Sequence, residues 1–151
     1  MTQKKLVAYL DEHISAKAHL EFTSAGLSCV YINRTKRFSG RDERDYISEI
    51  ASEGAIYVTS DNEFINWLAD SGVKYYGIIW LPSMRDMDDS LWFYYSILAS
   101  QLLKEINING KSSLWRKILY VSANGFSEIN KGVYRLVLSY DALDHAIEEH
   151  R

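Results

Sequence analysis

Four short apolar runs, separated by segments of helical spacing, are the feature that most constrains the fold of this chain. The runs cover residues 6–10, 28–32, 55–59 and 74–81. The first run is continuously apolar, which is typical of a strand buried on both faces of a parallel sheet. Between the runs, apolar residues recur at helical spacing, with glycines as stop signals. The order β-α-β-α-β-α-β predicts an α/β fold with three layers, in which helices flank a parallel, Rossmann-like sheet.

The last third of the chain has a different pattern. Apolar residues at helical spacing predict a long amphipathic helix over about residues 88–106. Beyond it, residues 115–122 and 133–139 have the composition of strands, and Asn124-Gly125 is a turn signal. We therefore expect a C-terminal β-hairpin, followed by a short helix over residues 141–149.

Length and composition are those of a single globular domain. The chain has 151 residues, of which 47% are hydrophobic and 13% aromatic, so it has ample material for a core. We predict one domain over 1–151, with a core at about 4–108 and a β-rich extension at about 109–151 as an added layer. The 20 acidic and 17 basic side chains give a net charge of −3, which argues against nucleic-acid binding by bulk charge. One cysteine excludes an internal disulfide and a Cys-rich metal knuckle.

The apolar stretches are too short for a membrane segment or a signal peptide. The run behind the charged N-terminus covers only residues 6–10, and residues 75–81 form one of the longest. A bilayer-spanning helix needs about 20 apolar residues, and a signal peptide needs a longer apolar core than the first run provides. We therefore expect a cytoplasmic protein that does not associate with a membrane.

Acidic residues follow two of the predicted strands. Asp11 and Glu12 come directly after the first strand, and Asp61 and Glu63 follow the third. A further acidic group at the start of the second predicted helix consists of Asp42, Glu43 and Asp45. Because the carboxyl ends of parallel strands and the starts of the following helices face the same edge of a sheet, the three groups can converge.

Converging carboxylates repel one another, and a hard divalent cation relieves that repulsion. Mg²⁺ or Mn²⁺ accepts oxygen ligands and keeps waters that can attack a phosphodiester. The alternative is a purely local role, since a strand-terminal Asp often caps the next helix and the helix dipole favours acids in the first turn. Spacing alone leaves both interpretations open.

A basic loop follows the second predicted strand. Five positive charges fall within eleven residues, at positions Arg34, Lys36, Arg37, Arg41 and Arg44. The loop leaves the same edge of the sheet as the acids, so the first four are predicted to hold the phosphates of a nucleic-acid strand. The alternative is a solvated loop. The sequence contains no H-E-x-x-H, G-x-S-x-G, P-loop or G-x-G-x-x-G motif. The zincin metal site, the serine nucleophile and the nucleotide-binding loops that these motifs form are therefore excluded.

Two motifs resemble those of a known family. Leu10-Asp11-Glu12 after an apolar strand, followed by E-G-A-I-Y-V-T-S-D-N-E-F at residues 53–64, resembles the short bacterial PIN-like proteins related to the VapC-type toxin nucleases. The resemblance covers about residues 5–82. It implies a PIN-like fold, a Mg²⁺- or Mn²⁺-dependent ribonuclease centre, and a toxin–antitoxin or defence setting with an antitoxin partner and a possible homodimer.

The same resemblance implies roles for individual acids. Asp11 and Asp61 match two acids of the family motif, and Glu63 stands where the family usually has Asp. The middle acid of the motif falls on Arg44, so Asp42 or Asp45 would have to supply it.

Three functions are compatible with this sequence. The first is a Mg²⁺- or Mn²⁺-dependent endoribonuclease, with Asp11, Asp61, Glu63 and Asp45 as catalytic residues. Its metal ligands would be Asp11, Asp61, Asp42 and Asp45, and Glu12 and Glu63 would orient the water. The second is a PIN-like binding module without catalysis. The third is a phospho-receiver, which needs a Lys after a later strand, whereas Pro82-Ser83-Met84 follow the fourth.

Overall fold

A computed structural model describes residues 6–81, 96–100, 103–104, 117–122, 125–130 and 133–139. In chain order, its elements are β1 (Val7–Leu10), α1 (Ala16–Ser24), β2 (Ser28–Tyr31), a 3₁₀ turn (Ile32–Arg34), α2 (Glu43–Ser52), β3 (Ile56–Thr59), α3 (Asn62–Ser71), β4 (Gly77–Trp80), β5 (Lys117–Ser122), β6 (Gly125–Asn130) and β7 (Val133–Ser139). The four apolar runs thus become β1 to β4, and the predicted alternation of strands and helices is confirmed through β4.

The described strands form one sheet in the order β2-β1-β3-β4-β5-β6-β7. The first five strands of this order, β2-β1-β3-β4-β5, are parallel to one another. Strand β6 is antiparallel to both β5 and β7. The α/β class, the parallel sheet and the flanking helices are therefore confirmed, and the central part of the sheet is Rossmann-like.

Side chains of the central strands alternate between two hydrophobic cores, one on each face of the sheet. On β3, Ile56 and Val58 face the core that contains Phe22 of α1, whereas Tyr57 faces the core that contains Ile47 of α2. All five are almost completely buried. Helices α2 and α3 share the second face, so the strand runs are apolar throughout because both faces of the sheet are covered.

Capping residues fix where the helices begin. The Ser15 side chain accepts a hydrogen bond of 3.1 Å from the backbone N of Ala18, so α1 begins one residue after Ser15. Asp42 and Asp61 cap α2 and α3 in the same way. Gly54, which is predicted to stop the second helix, has a φ of +67°, a conformation that favours glycine.

The C-terminal strands extend the main sheet. β5 pairs in parallel with β4, and β6 lies between β5 and β7. The two predicted tail strands, 115–122 and 133–139, are therefore not paired with each other, and they lie in the sheet instead of forming an added layer. Strand β6 was not predicted because its sequence, G-F-S-E-I-N, mixes polar and apolar residues.

Parts of the predicted tail lie outside the described residues. Residues 96–100 and 103–104 are helical, and Leu98 and Leu103 are buried in the same core as Phe22. The remainder of the predicted helix over 88–106, and the predicted helix over 141–149, lie outside the described residues. Among the described helices, none has the length and apolar character needed to cross a membrane.

Candidate active site

The candidate site lies where the strand order reverses. The chain leaves β1 to form β2 on one side, then returns to form β3 on the other side of β1. At such a switch point the connections diverge and leave a crevice at the carboxyl ends of the two strands. The last residues of β1 and β3 are Leu10 and Thr59, and the acids that follow them, Asp11 and Asp61, stand at this crevice.

Asp11 is held in place by the end of β3. Its backbone N donates to the carbonyl of Val58 (3.0 Å), and its Oδ2 accepts a hydrogen bond of 2.9 Å from the Thr59 hydroxyl. The same hydroxyl accepts from the backbone N of Asp61 (3.1 Å). Thr59 is fully buried and Asp11 is only 9% exposed. One threonine side chain therefore links the two acids that terminate β1 and β3.

A third acid, Glu43, reaches the crevice from the first turn of α2. Its Oε2 accepts a hydrogen bond of 2.9 Å from the hydroxyl of Tyr57, a buried residue of β3, and its carboxyl is also hydrogen-bonded to Asp61. The Tyr46 hydroxyl lies 3.4 Å from the Tyr57 hydroxyl. Two buried tyrosines thus hold Glu43 close to Asp61.

The three acids line an open cleft of about 370 Å³, which we call the acidic cleft. Its walls include Phe38, Gly40 and Arg41 of the loop that precedes α2. A cleft of this size lies within the usual range for small-molecule and substrate sites.

The surroundings of Glu43 in the acidic cleft raise the pKa of its carboxyl group. Together, burial, the hydrogen bond with Asp61 and the charges of Asp61 and Asp11 raise the pKa of Glu43 from 4.5 to about 8, against a lowering contribution from the Tyr57 hydroxyl; burial is the largest of these causes. Within the described ranges, no group of three or more His, Cys, Asp and Glu side chains has the geometry of a preformed metal site. The charges of Asp61 and Asp11 thus disfavour a further carboxylate at Glu43, a repulsion that a divalent cation would relieve.

The raised pKa of Glu43 predicts a pH-dependent effect of Glu43→Gln on stability. The folded state binds the Glu43 proton more tightly than the unfolded chain does, so the free energy of unfolding falls as pH rises from about 4.5 to about 8. In EDTA near pH 8, the free energy of unfolding of the Glu43→Gln variant should exceed that of the wild type by about 1–2 kcal/mol, after allowance for the partial exposure of the side chain. Urea denaturation near pH 5 and near pH 8 measures the difference, with Glu63→Gln as the control. A Glu43→Gln protein less stable than wild type near pH 8 would contradict the prediction.

The link through Thr59 predicts a second stability effect. Thr59→Val removes the donor to Asp11 and the acceptor for Asp61 N while keeping the side-chain shape, and it should cost about 2–3 kcal/mol because it leaves both groups without their partner. Thr59→Ser keeps the hydroxyl and should cost less than about 1 kcal/mol. Thermal or urea denaturation followed by circular dichroism measures both variants. Equal stability of the valine and serine variants would show that the hydroxyl does not link the two acids.

The other acids predicted at the site occupy different places. Asp42 caps α2 through a hydrogen bond from the backbone N of Arg44 (2.8 Å) and lines the acidic cleft. Asp45 does not line it: its side chain is 64% exposed and binds Arg41 at 3.1 Å. Glu63 is exposed in the first turn of α3, while Glu12 is exposed at the rim of the cleft.

Carboxylates of α2 and of its C-terminal cap, Glu53, engage part of the basic loop. Arg41 binds Glu49 at 2.7 Å in addition to Asp45, and Arg37 forms an ion pair with Glu53. Within the part of the chain that the structure describes, Arg34 and Lys36 are exposed and have no carboxylate partner. Of the four predicted phosphate-binding residues, Arg34 and Lys36 therefore have their charge available.

Sequence analysis did not assign roles to Glu43, Tyr57 and Thr59. Glu43 is the first residue of α2, two positions before Asp45. Successive helical residues are about 100° apart, so these two acids project in nearly opposite directions. The cap at Asp42 gives the helix start, and from that start the direction of Glu43 could have been inferred.

Comparisons of this chain with protein-family models, with curated proteins and with solved structures found no match. Its function is therefore inferred from the geometry of the acidic cleft.

Proposed function

We propose that this protein is a Mg²⁺- or Mn²⁺-dependent endoribonuclease whose active site is the acidic cleft. The observation that carries the proposal is the convergence of Asp11, Glu43 and Asp61 at the switch point of the sheet. A switch-point crevice is where doubly wound sheets bind their ligands. Capping alone would explain Asp61, but it does not explain why Asp11 is buried against Thr59 or why Glu43 reaches Tyr57 and Asp61.

The donor set suits a hard divalent cation. The three side chains offer only carboxylate oxygens, which Mg²⁺ and Mn²⁺ prefer. Asp11, Asp61 and Glu43 would hold the ion, with Asp42 close enough to contribute at the rim of the cleft. A bound ion supplies a Lewis acid that activates water and stabilises charge on the phosphate.

The chain's own groups prepare the cleft for that chemistry. The Thr59 hydroxyl orients Asp11, and the Tyr57 hydroxyl orients Glu43, so both carboxylates are positioned before a substrate enters. The hydroxyl of Tyr57 would keep the Glu43 carboxylate oriented in its deprotonated form, the form that could serve as a ligand. Arg34 and Lys36 provide positive charge for the backbone of an RNA strand.

A second candidate function is a PIN-like binding module without catalysis. The observation that favours it is the bonding of Glu43 with Asp61 and Tyr57, which satisfies the acidic cluster without a cation. The engagement of Arg37 and Arg41 by acids of α2 and its C-terminal cap also reduces the charge available for RNA. Metal binding separates the two candidates.

Incubation of the purified protein with end-labelled single-stranded RNA in Mn²⁺, in Mg²⁺ and in EDTA tests the proposal. We expect internal cleavage with Mn²⁺ or Mg²⁺ and none in EDTA, which distinguishes it from contaminating metal-independent ribonucleases. We also expect Mn²⁺ to raise the melting temperature, because the ion binds only the folded state. Absence of both cleavage and stabilisation would reject the nuclease and leave the binding module.

The biological setting stays a prediction from the resemblance. We predict in the same way that the protein belongs to the PIN-like family and acts in a toxin–antitoxin or defence system. An antitoxin partner, a homodimer and a cytoplasmic location are further predictions. If the protein cleaves RNA in Mn²⁺, the next test is the toxin–antitoxin setting. Co-expression with the product of a neighbouring gene would provide that test.

A further inference from the structure

A second cleft lies beside the acidic cleft, on the outer side of β2. It has a volume of about 490 Å³, and we call it the aromatic cleft. Its lining residues are Glu12, Ala16, His19, Leu20, Tyr31, Asn33 and Arg34. Glu12 and Asn33 line both clefts, so the two clefts adjoin at the carboxyl edge of the sheet.

The aromatic cleft combines flat rings with a positive charge. The rings of His19 and Tyr31 are stacked nearly parallel, at 5.2 Å between centroids and an interplanar angle of 6°. The Arg34 guanidinium lies 5.4 Å from the centroid of the Tyr31 ring. Tyr31 is fixed because its hydroxyl donates to the carbonyl of Ile14 at 2.8 Å. The stacked pair is thus anchored to the segment that follows β1.

The two rings lie at the surface of the protein, although Tyr31 also packs against the core that contains Phe22. His19 and Tyr31 are partly exposed, and the apolar side chain of Leu20 beside them is 65% exposed. Exposed flat rings beside an arginine are the arrangement that single-stranded nucleic acids use, with bases stacked on the rings and phosphates held by the cation. The volume of the aromatic cleft also exceeds what one nucleobase requires.

We propose that the aromatic cleft binds an unpaired base of the RNA strand, next to the phosphodiester held in the acidic cleft. This inference rests on the proposed function and extends it by assigning a base-binding site beside the acidic cleft. The base stacks on His19, whose other face packs on Tyr31, and Arg34 contacts the adjacent phosphate. Duplex RNA cannot offer an unstacked base, so the protein prefers single strands.

Fluorescence anisotropy with a short, labelled single-stranded RNA, in EDTA, measures binding without cleavage. His19→Ala should raise the Kd about tenfold, the effect of losing one base–aromatic contact. His19→Phe keeps a flat ring and should bind within about threefold of the wild type. Arg34→Ala should raise the Kd. It should also make the plot of log Kd against log salt concentration less steep, by the amount expected for the loss of about one phosphate contact. Arg44→Ala is the matched control, since Arg44 lies over Trp67, away from the aromatic cleft.

The outcomes separate this inference from the nuclease proposal. RNA binding that depends on His19, in a protein that does not cleave with Mn²⁺, would support the inference and reject the nuclease. Cleavage by the wild type, with equal binding by the His19→Ala and Arg44→Ala variants, would overturn the inference and leave the nuclease intact. Failure of the wild type to bind the probe, or equal affinity for duplex and single strands, would also overturn it. Melting temperatures of all variants establish that each is folded.

Discussion

Replacement of Asp11 or Asp61 by asparagine is expected to lower the rate of Mn²⁺-dependent RNA cleavage by at least about 10²-fold. Each carboxylate would supply one negatively charged ligand to the ion, and the charge stabilisation that the ion provides is worth several kcal/mol. Because each 1.36 kcal/mol lost from this stabilisation lowers the rate about tenfold, the loss of one ligand accounts for the expected decrease. The measurement is the initial rate of cleavage of labelled RNA at saturating Mn²⁺. The Kd for Mn²⁺, measured by calorimetry, should rise in parallel.

Asparagine is the informative substitution because it preserves the local structure. Asp61 Oδ1 accepts hydrogen bonds from the backbone N of Glu63 (3.0 Å) and of Phe64 (3.2 Å), and the amide oxygen of asparagine can cap a helix equally well. A loss of activity with an unchanged melting temperature would therefore report on the charge. Asp70→Asn, an exposed acid near the end of α3, is the control and should keep full activity. Retention of activity by both Asp11→Asn and Asp61→Asn would reject the acidic cleft as the active site.

The third acid gives a comparison within one helix turn. Glu43 contacts Asp61 and Tyr57, while Asp45 binds Arg41 on the outer side of α2. We expect Glu43→Gln to lose cleavage to a similar extent and Asp45→Asn to keep most of it. The opposite result would restore the assignment that sequence spacing suggests, with Asp45 as the middle acid.

The order of elements could be predicted because it depends on local pattern. An unbroken apolar run such as I-Y-V-T at Ile56–Thr59 is compatible with few environments other than a strand covered on both faces. Asp11 and Asp61 could also be placed, because the end of a parallel strand fixes the edge of the sheet to which the next residue belongs. The strand order that makes this edge a crevice between β1 and β3 is a non-local property, and spacing does not contain it.

The pairing of charges could not be predicted for the same reason. Arg41 binds Glu49 and Arg37 binds Glu53, so the basic loop folds back over α2 and part of its charge is balanced there. Sequence gives the number of cations in the loop, but only the path of the loop decides which ones an RNA strand can reach. The stacking of His19 on Tyr31, which joins α1 to β2, is likewise a tertiary contact.

Phe64→Ala should destabilise the protein more than the substitutions proposed at the cleft. Phe64 is 1% exposed at the start of α3, and its ring lies 5.6 Å from the ring of Tyr57 and 6.0 Å from that of Trp67, between centroids. Truncation of a buried phenylalanine removes its transfer free energy and leaves a cavity, at a cost of about 3–5 kcal/mol. A domain with a total stability of about 5–15 kcal/mol would lose a large share of it.

The same substitution should also reach the acidic cleft, because Tyr57 packs on Phe64 and orients Glu43. Urea denaturation measures the free energy of unfolding, and Mn²⁺ titration of the folded variant measures the site. Phe64→Leu, which keeps most of the volume, should lose less than half as much stability, and Leu20→Ala on the exposed face of α1 should change it by less than about 0.5 kcal/mol. If Phe64→Ala were no more destabilising than Leu20→Ala, the aromatic packing beneath the acidic cleft would not support it. A Phe64→Ala protein that is folded and binds Mn²⁺ as tightly as the wild type would show that Glu43 is positioned by Tyr57 without help from the core.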